Sequence, residues 1–156
     1  MAKYIEQAES MTLPVIALKD AVAFPSVTLS FELSDETCIH AAEAAFDTDS
    51  LVLICTVSDR SSGKLSPSSL YKVGTVSKIK QSIKTPEGNM RVVTEGFSRA
   101  TVTDFHKFAN YLCADVICKT VTLKDEDSLK SQAYCRAIMS ETEHLTSQFP
   151  SLSDEI

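Results

Sequence analysis

The first apolar stretch of the chain, LPVIALKDAVAFP at residues 13–25, does not follow a single helical stripe. Its apolar side chains recur mostly at every second position, and the charged pair Lys19 and Asp20 interrupts them in the middle. Proline cannot donate to a strand ladder and is tolerated at strand ends, where Pro14 and Pro25 lie. The pattern therefore predicts two short, half-buried strands with a bend at the charged pair.

The residues after Pro25 predict a strand, a helix and a second strand. Residues 27–33 alternate between apolar and polar, which is typical of a strand with one face in water. Ser34 or Asp35 is a suitable N-cap for a short helix that runs to about Phe46. The side chains that this helix would place on one face are Ile39, Ala42 and Phe46. The continuous apolar run at 51–57 indicates a strand buried on both faces.

From residue 71 onward the pattern is entirely β. Residues 71–84 and 90–96 predict a hairpin, because the residues between them, Pro86 to Asn89, favour a turn. Two further strands are predicted at 98–105 and 111–121. Together the elements predict an α+β fold that is mainly β: a small barrel of about six strands with one short inserted helix. The predicted common core consists of Leu29, Phe31, Leu33, Leu112, Ala114 and Val116.

The last part of the chain predicts a long amphipathic helix at about 128–148. Acidic residues at 125–127 lie where the positive end of a helix dipole favours negative charge. Apolar residues then recur at helical spacing. The stripe that we expect to drive self-association, as a weak homodimer, contains Ile138, Leu145 and Phe149.

Composition excludes several classes of protein. The chain has 156 residues, 15 of them Lys or Arg, and a net charge of −6, which argues against nucleic-acid binding. No run is long and apolar enough for a membrane span, and the first ten residues do not resemble a signal peptide. Five cysteines in such a chain are expected to be free thiols in a reducing compartment, so we predict a cytoplasmic location.

No catalytic, cofactor-binding or metal-binding motif is found. The single Gly-Lys pair, Gly63 and Lys64, lacks the glycine and the hydroxyl residue of a phosphate-binding loop. The three histidines, His40, His106 and His144, lie in separate predicted elements. We therefore expect this chain by itself not to be an enzyme.

Three segments, taken in order, resemble the N-terminal domain of Lon-type ATP-dependent proteases. They are LPVIALKDAVAFP (13–25), LYKVGTVSKIKQ (70–81) and TEGFSRATV (94–102), the last with a Glu-Gly-x-x-Arg core that ends at Arg99. Each segment alone is weak as a signal, but their order and spacing make the resemblance specific. It covers about residues 13–121.

The resemblance implies a PUA-like pseudobarrel at residues 1–122 and the start of a helical region at 123–156. It also implies that the chain is part of a longer ATP-dependent Ser-Lys endopeptidase, whose ATPase module would bind ATP and magnesium. In that family the domain helps to recognise unfolded or tagged proteins and to assemble a homo-hexamer. A free-standing single-domain protein is the alternative.

Substrate capture requires exposed apolar surface or an open strand edge. The candidate surface residues are Phe24, Ile83, Met90, Val93 and Ile117. A different class of function, RNA binding, is favoured by the cations of the predicted hairpin, since PUA-like barrels also occur in RNA-modifying proteins. These cations are Lys72, Lys78, Lys80, Lys84 and Arg91.

Overall fold

The computed structural model describes residues 4–58, 65–123 and 128–148, with side chains at 8–58, 65–118 and 129–148. Among these residues it contains six strands, two α-helices and one short 3-10 turn. In chain order they are β1 (Tyr4–Leu18), β2 (Thr28–Leu33), α1 (Glu36–Phe46), β3 (Leu51–Val57), the 3-10 turn (Pro67–Ser69), β4 (Leu70–Lys84), β5 (Met90–Phe108), β6 (Tyr111–Leu123) and α2 (Ser128–Gln148). The predicted fold class, mainly β with one inserted helix and a long C-terminal helix, is confirmed.

Five of the six strands close into a barrel. The strand order is β2-β5-β4-β3-β1-β6, and an additional pairing of β5 with β6 closes the ring. β1 and β3 are parallel, whereas β3–β4, β4–β5 and β5–β6 are antiparallel. Closure removes the free edges that would otherwise attract other strands.

β5 is one strand of 19 residues, although the sequence predicted two strands separated near Gly96. Its first half pairs with β2, from Met90 to Glu95, and its second half pairs with β6, from Ala100 to Phe108. A register shift against β4, next to Phe97, allows the long strand to serve both partners. The predicted hairpin between β4 and β5 is confirmed, with its turn at Pro86 to Gly88.

The buried residues form two clusters, so the predicted common core is wrong. The cluster inside the barrel includes Leu53, Leu112, Ala114 and Val116. Leu33 belongs to a second cluster, on the outer face of the barrel, against which Leu29 and Phe31 are partly buried. The physical reason is that β2 pairs with the first half of β5 and does not belong to the ring of five strands.

Helix α1 covers this outer cluster. The Asp35 carboxylate accepts hydrogen bonds from the backbone N–H groups of Thr37 (2.9 Å) and Cys38 (3.3 Å), which confirms the predicted N-cap. The buried face of the helix consists of Cys38, Ala41, Ala42 and Ala45. Of the predicted face, Ala42 is buried against the sheet and Ile39 partly so, whereas Phe46 at the end of the helix remains 41% exposed.

Two compact units divide the chain, residues 7–120 and a second unit that includes α2. The predicted helix bounds, 128–148, are confirmed. Tyr134, Ile138 and Leu145 are all more than half exposed, and Phe149 lies outside the described residues. The predicted assignment of 1–122 and 123–156 to separate roles remains a prediction.

Candidate functional site: an apolar groove on the outer face of the barrel

Residues 21–25 lie over β3 and β4 and join no strand ladder, since residues 21–24 have no regular secondary structure and a turn begins at Pro25. The carbonyl oxygen of Ala21 accepts a hydrogen bond from the Thr56 hydroxyl at 3.0 Å. The carbonyl oxygen of Ala23 accepts one from the Thr75 hydroxyl at 2.7 Å. The predicted second strand is therefore wrong at this position, because threonine side chains, rather than backbone groups, hold the segment. The predicted break at Lys19 and Asp20, where β1 ends, is confirmed.

Gly96 holds the end of this segment. Its carbonyl oxygen accepts a hydrogen bond from the N–H of Ser26 (2.9 Å), and its own N–H donates to the carbonyl of Val27 (3.0 Å). A Cβ atom at Gly96 would collide with the carbonyl oxygen of Phe24. A side chain at this position would therefore push the segment away from the sheet.

A groove of about 350 Å³ lies between this segment and the outer face of β3 and β4. Three of the apolar side chains that line it are unusually exposed: Phe24 at 58%, Val22 at 55% and Val73 at 42%. Pro25 and Ile54 add further apolar surface. We call this the apolar groove. Its size suits one aromatic or two aliphatic side chains of a ligand.

More apolar surface adjoins the apolar groove. Phe97 directly follows Gly96 and is 50% exposed, and Tyr71 on β4 is 56% exposed. On the outer face of the barrel Val73 lies opposite Thr101, and Thr101 lies opposite Ile117. Ile117 is thus placed two strands away from the groove, where it is half-buried. Thr101 separates Val73 from Ile117, so the apolar groove remains the main exposed apolar site on this face of the described residues.

Arg99 is the charged residue that lines the apolar groove. It lies opposite Thr75 on the neighbouring strand, and its side chain is exposed. Within the described part of the chain, the Arg99 guanidinium forms neither a hydrogen bond nor an ion pair. No carboxylate among the described residues lines the groove.

The other predicted surface residues are scattered. Ile83 is 54% exposed but lies near the hairpin turn, away from the apolar groove. Val93 is half-buried between Ser30 and Gln81 of the neighbouring strands. The prediction for Met90 is wrong: it is 3% exposed, because β2 and β4 flank it and it packs into the outer cluster.

Sequence reasoning missed Val22, Val73 and Phe97 as surface residues. Val22 and Val73 fit an inward strand pattern equally well, so alternation alone does not distinguish them. Gly96 was the available signal, since a glycine inside a strand often marks the close approach of another backbone.

A polar cluster links three strands elsewhere on the barrel. Asp115 accepts a hydrogen bond from the Thr12 hydroxyl (2.6 Å), and its other oxygen lies 2.6 Å from Nε2 of His106. The hydrogen bond to Asp115 raises the pKa of His106 above its ordinary value. The bonds from Thr12 and His106 lower the pKa of Asp115. These hydrogen bonds connect β1, β5 and β6 at the surface of the barrel.

Three of the five cations of the hairpin are paired, whereas Lys72 and Lys78 have no ion pair among the described residues. Lys80 lies 2.5 Å from Glu95, Lys84 lies 2.6 Å from Glu43, and one guanidinium nitrogen of Arg91 lies 3.8 Å from Glu32. These carboxylates offset the basic character that an RNA-binding surface requires. The described residues contain no group of three or more potential metal ligands. They also contain no helix that is long and apolar enough to cross a membrane.

The described residues thus form a mainly β barrel with an apolar groove on its outer face. The comparisons with known proteins place this barrel in a family. The family model for the ATP-dependent protease La (LON) substrate-binding domain matches residues 12–156. The chain therefore belongs to the Lon substrate-binding domain family.

Relatives and solved structures agree with this family. The chain is 30% identical to a Lon protease of Rhizobium meliloti (strain 1021) over 95% of this chain and 18% of the relative. It is 34% identical to a Lon protease of Finegoldia magna over 85% of this chain and 17% of the relative. The N-terminal domain of the Mycobacterium avium complex Lon protease has the same fold, with a TM-score of 0.57 and 20% identity over 88% of this chain and 71% of that one. The chain thus spans less than a fifth of the length of these curated relatives.

Proposed function

We propose that this chain is the non-catalytic, substrate-binding part of an ATP-dependent Lon-type protease and that it binds extended segments of unfolded or tagged proteins. The observation that carries the proposal is the apolar groove, where Val22 and Phe24 of the anchored segment and Val73 of β4 are all exposed. Peptide bond cleavage and ATP hydrolysis would belong to other parts of the protease.

The energetics of the apolar groove suit weak capture of many sequences. Fully burying one side chain of Val, Leu or Phe contributes about 1.5–3 kcal/mol. Phe24 and Val73 are already half covered, so a bound segment gains only part of that amount from each. Binding through only a few such contacts favours broad selectivity over tight affinity. Such binding allows a substrate to be released onward.

Assembly is a second role that the chain supports. Helix α2 exposes Tyr134, Ile138 and Leu145, which share one face at helical spacing. We propose that this face packs against other subunits, as a weak homodimer of the chain and within a homo-hexamer of the longer protease. Sedimentation at high concentration tests the dimer: Leu145→Asp should shift it toward monomer, and a wild-type monomer would exclude this role.

RNA binding is the less favoured function. The ion pairs of Lys80, Lys84 and Arg91 with nearby glutamates reduce the positive charge that this surface would offer to RNA. The thiols of Cys38, Cys55 and Cys118 are free and buried, which supports a reducing compartment, the cytoplasm.

A matched pair of variants tests substrate binding. The ligand is a fluorescent peptide with a Leu-Phe pair in a Gly-Ser background, and binding is followed by anisotropy. Phe24→Ser should weaken binding about tenfold, since it removes one aromatic contact of about 1.4 kcal/mol. Ile83→Ser, which alters an equally exposed residue at the hairpin turn, should leave binding unchanged. Equal loss in both variants, or no loss in Phe24→Ser, would contradict the proposal.

A further inference from the structure

The apolar groove combines three exposed apolar side chains with one cation that has no partner among the described residues. Guanidinium groups form strong, often bidentate hydrogen bonds with carboxylates, and Arg91 on the same strand lies beside Glu32. Arg99 instead lines a groove whose other described lining residues are uncharged. A ligand that fills this groove with an apolar side chain alone would leave the guanidinium without a counter-charge.

We infer that the apolar groove selects extended segments in which an apolar residue stands next to an acidic one, with Arg99 binding the acidic side chain. This inference rests on the proposed function and adds a rule of selection to it. The planar guanidinium binds a carboxylate through two parallel hydrogen bonds, which a lysine at the same position would not reproduce. The chain carries a net charge of −6, so an acidic segment is repelled over most of its surface and attracted near Arg99.

A side-chain carboxylate fits this groove better than the carboxylate at the end of a polypeptide. Terminal carboxylates are typically captured by several convergent backbone N–H groups. Along the wall of the apolar groove, Ala21 and Ala23 instead turn their carbonyl oxygens toward Thr56 and Thr75. The N–H of Ser26 is already bonded to Gly96, so it is not available for a terminal carboxylate.

The motif Glu95-Gly96-x-x-Arg99 gains a physical explanation from this arrangement. Glu95 is paired with Lys80, which keeps its carboxylate occupied. Gly96 lets the backbone of Phe24 lie against β5 and so forms one wall of the groove. Arg99 follows three residues later, at the groove itself. Within five residues, the motif thus contains both the glycine that admits the groove wall and the arginine that lines the groove.

The test uses the full 156-residue chain and three fluorescent peptides in a Gly-Ser background, measured by anisotropy at low salt. The first has an internal Leu-Phe-Glu and an amidated end, the second has Gln in place of the Glu, and the third ends in Leu-Phe with a free terminal carboxylate. The wild type should bind the Glu peptide about fivefold more tightly than the Gln peptide. Higher salt should reduce this preference.

Variants assign the preference to Arg99. Arg99→Gln should abolish the Glu preference by weakening binding of the Glu peptide, whereas Arg99→Lys should restore the preference only in part. Arg91→Gln, the same change on the same strand, is the control and should keep the full preference. A Glu preference that survives in Arg99→Gln overturns the inference, as does tighter binding of the free-terminus peptide than of the Glu peptide. If no peptide responds to Phe24→Ser, the proposed function itself fails.

Discussion

The two ends of the β4–β5 hairpin differ in how many of their charged side chains are paired and how many of their apolar side chains are covered. At the turn end, residues 78–95, the cations Lys80, Lys84 and Arg91 lie beside glutamates. There β2 and α1 cover Ile79, Met90 and Val92, and Ile83 stays exposed near the turn itself. At the groove end, residues 71–77 and 96–102, apolar side chains face outward and Arg99 has no described partner. On the same two strands, therefore, more cations are paired and more apolar side chains are covered at the turn end than at the groove end.

This difference locates function on the hairpin. A surface whose charges are paired and whose apolar groups are covered has little to gain from a ligand. The groove end has an exposed apolar side chain and a cation without a described partner. The segment 21–25 covers Thr75 but leaves Val73 exposed, and Arg99 lies at the groove. Substrate binding is thus expected at the groove end, and structural stability is expected to depend on the turn end.

The largest expected effect separates buried from exposed apolar residues on one strand. Ile79 is 3% exposed and Ile83, four residues later, is 54% exposed. Ile79→Ala should lower the free energy of unfolding by about 2–5 kcal/mol, since it leaves a cavity in the outer cluster. Ile83→Ala should stay within about 0.5 kcal/mol. Urea melts measure both, and a costly Ile83→Ala would show that the turn end is covered differently.

A glycine pair compares the two ends directly. Gly96→Ala places a methyl group against the Phe24 carbonyl and should cost about 1–3 kcal/mol while releasing the groove wall. Gly88, in the hairpin turn, has open space around it but a φ of +87°, so Gly88→Ala should cost about 1 kcal/mol. Thermal melts give both stabilities. Peptide binding should be lost only in Gly96→Ala, and its retention there would contradict the account of the wall.

The pH dependence of stability tests the Thr12–Asp115–His106 cluster, which lies outside both ends. His106 has a raised pKa in the folded chain, so its contribution is fully present below its unfolded pKa, near about 6.5, and is lost as pH rises through the folded value. Asp115 has a lowered pKa, so its contribution is lost as pH falls below about 4. Urea melts of the wild type should show a loss of stability from pH 6 to pH 8 that His106→Gln lacks. An equal slope in both proteins would contradict this assignment.

Much of the fold followed from local patterns. The N-cap at Asp35, the buried strand at 51–57, the hairpin turn and the bounds of α2 each depend on neighbouring residues, and each is confirmed. The placement of β2 outside the barrel was missed. The alternation of apolar and polar residues in β2 is the same whether its apolar face meets the barrel interior or an outer cluster. The pairing of β2 with β5 determines which of the two it meets.

The candidate site was less predictable than the fold. The exposure of Phe24 was predictable because it lies at a bend beside proline. Met90 was misplaced because its burial depends on β2, which is distant in sequence. The apolar groove itself arises from Thr56 and Thr75, whose hydroxyls hold a segment more than thirty residues away. No local pattern indicates such bonds.

The smallest expected effect concerns the paired cations of the turn end. Lys84 and Glu43 form an exposed ion pair, with side chains 71% and 38% exposed. Lys84→Ala should change the free energy of unfolding by less than about 1 kcal/mol, because water and salt screen such pairs. Peptide binding should not change. A clear loss of peptide binding would show that the turn end contributes to the binding site, and it would contradict the difference drawn between the two ends.

Chemical-shift mapping tests the central claim, capture at the groove end, most directly. Isotope-labelled protein is titrated with the amidated Leu-Phe-Glu peptide, and every backbone amide is followed. The largest shifts are expected at 21–24, 73–75 and 96–99, with little change at 83–91. Shifts centred on 83–91, with the apolar groove unaffected, would contradict the account.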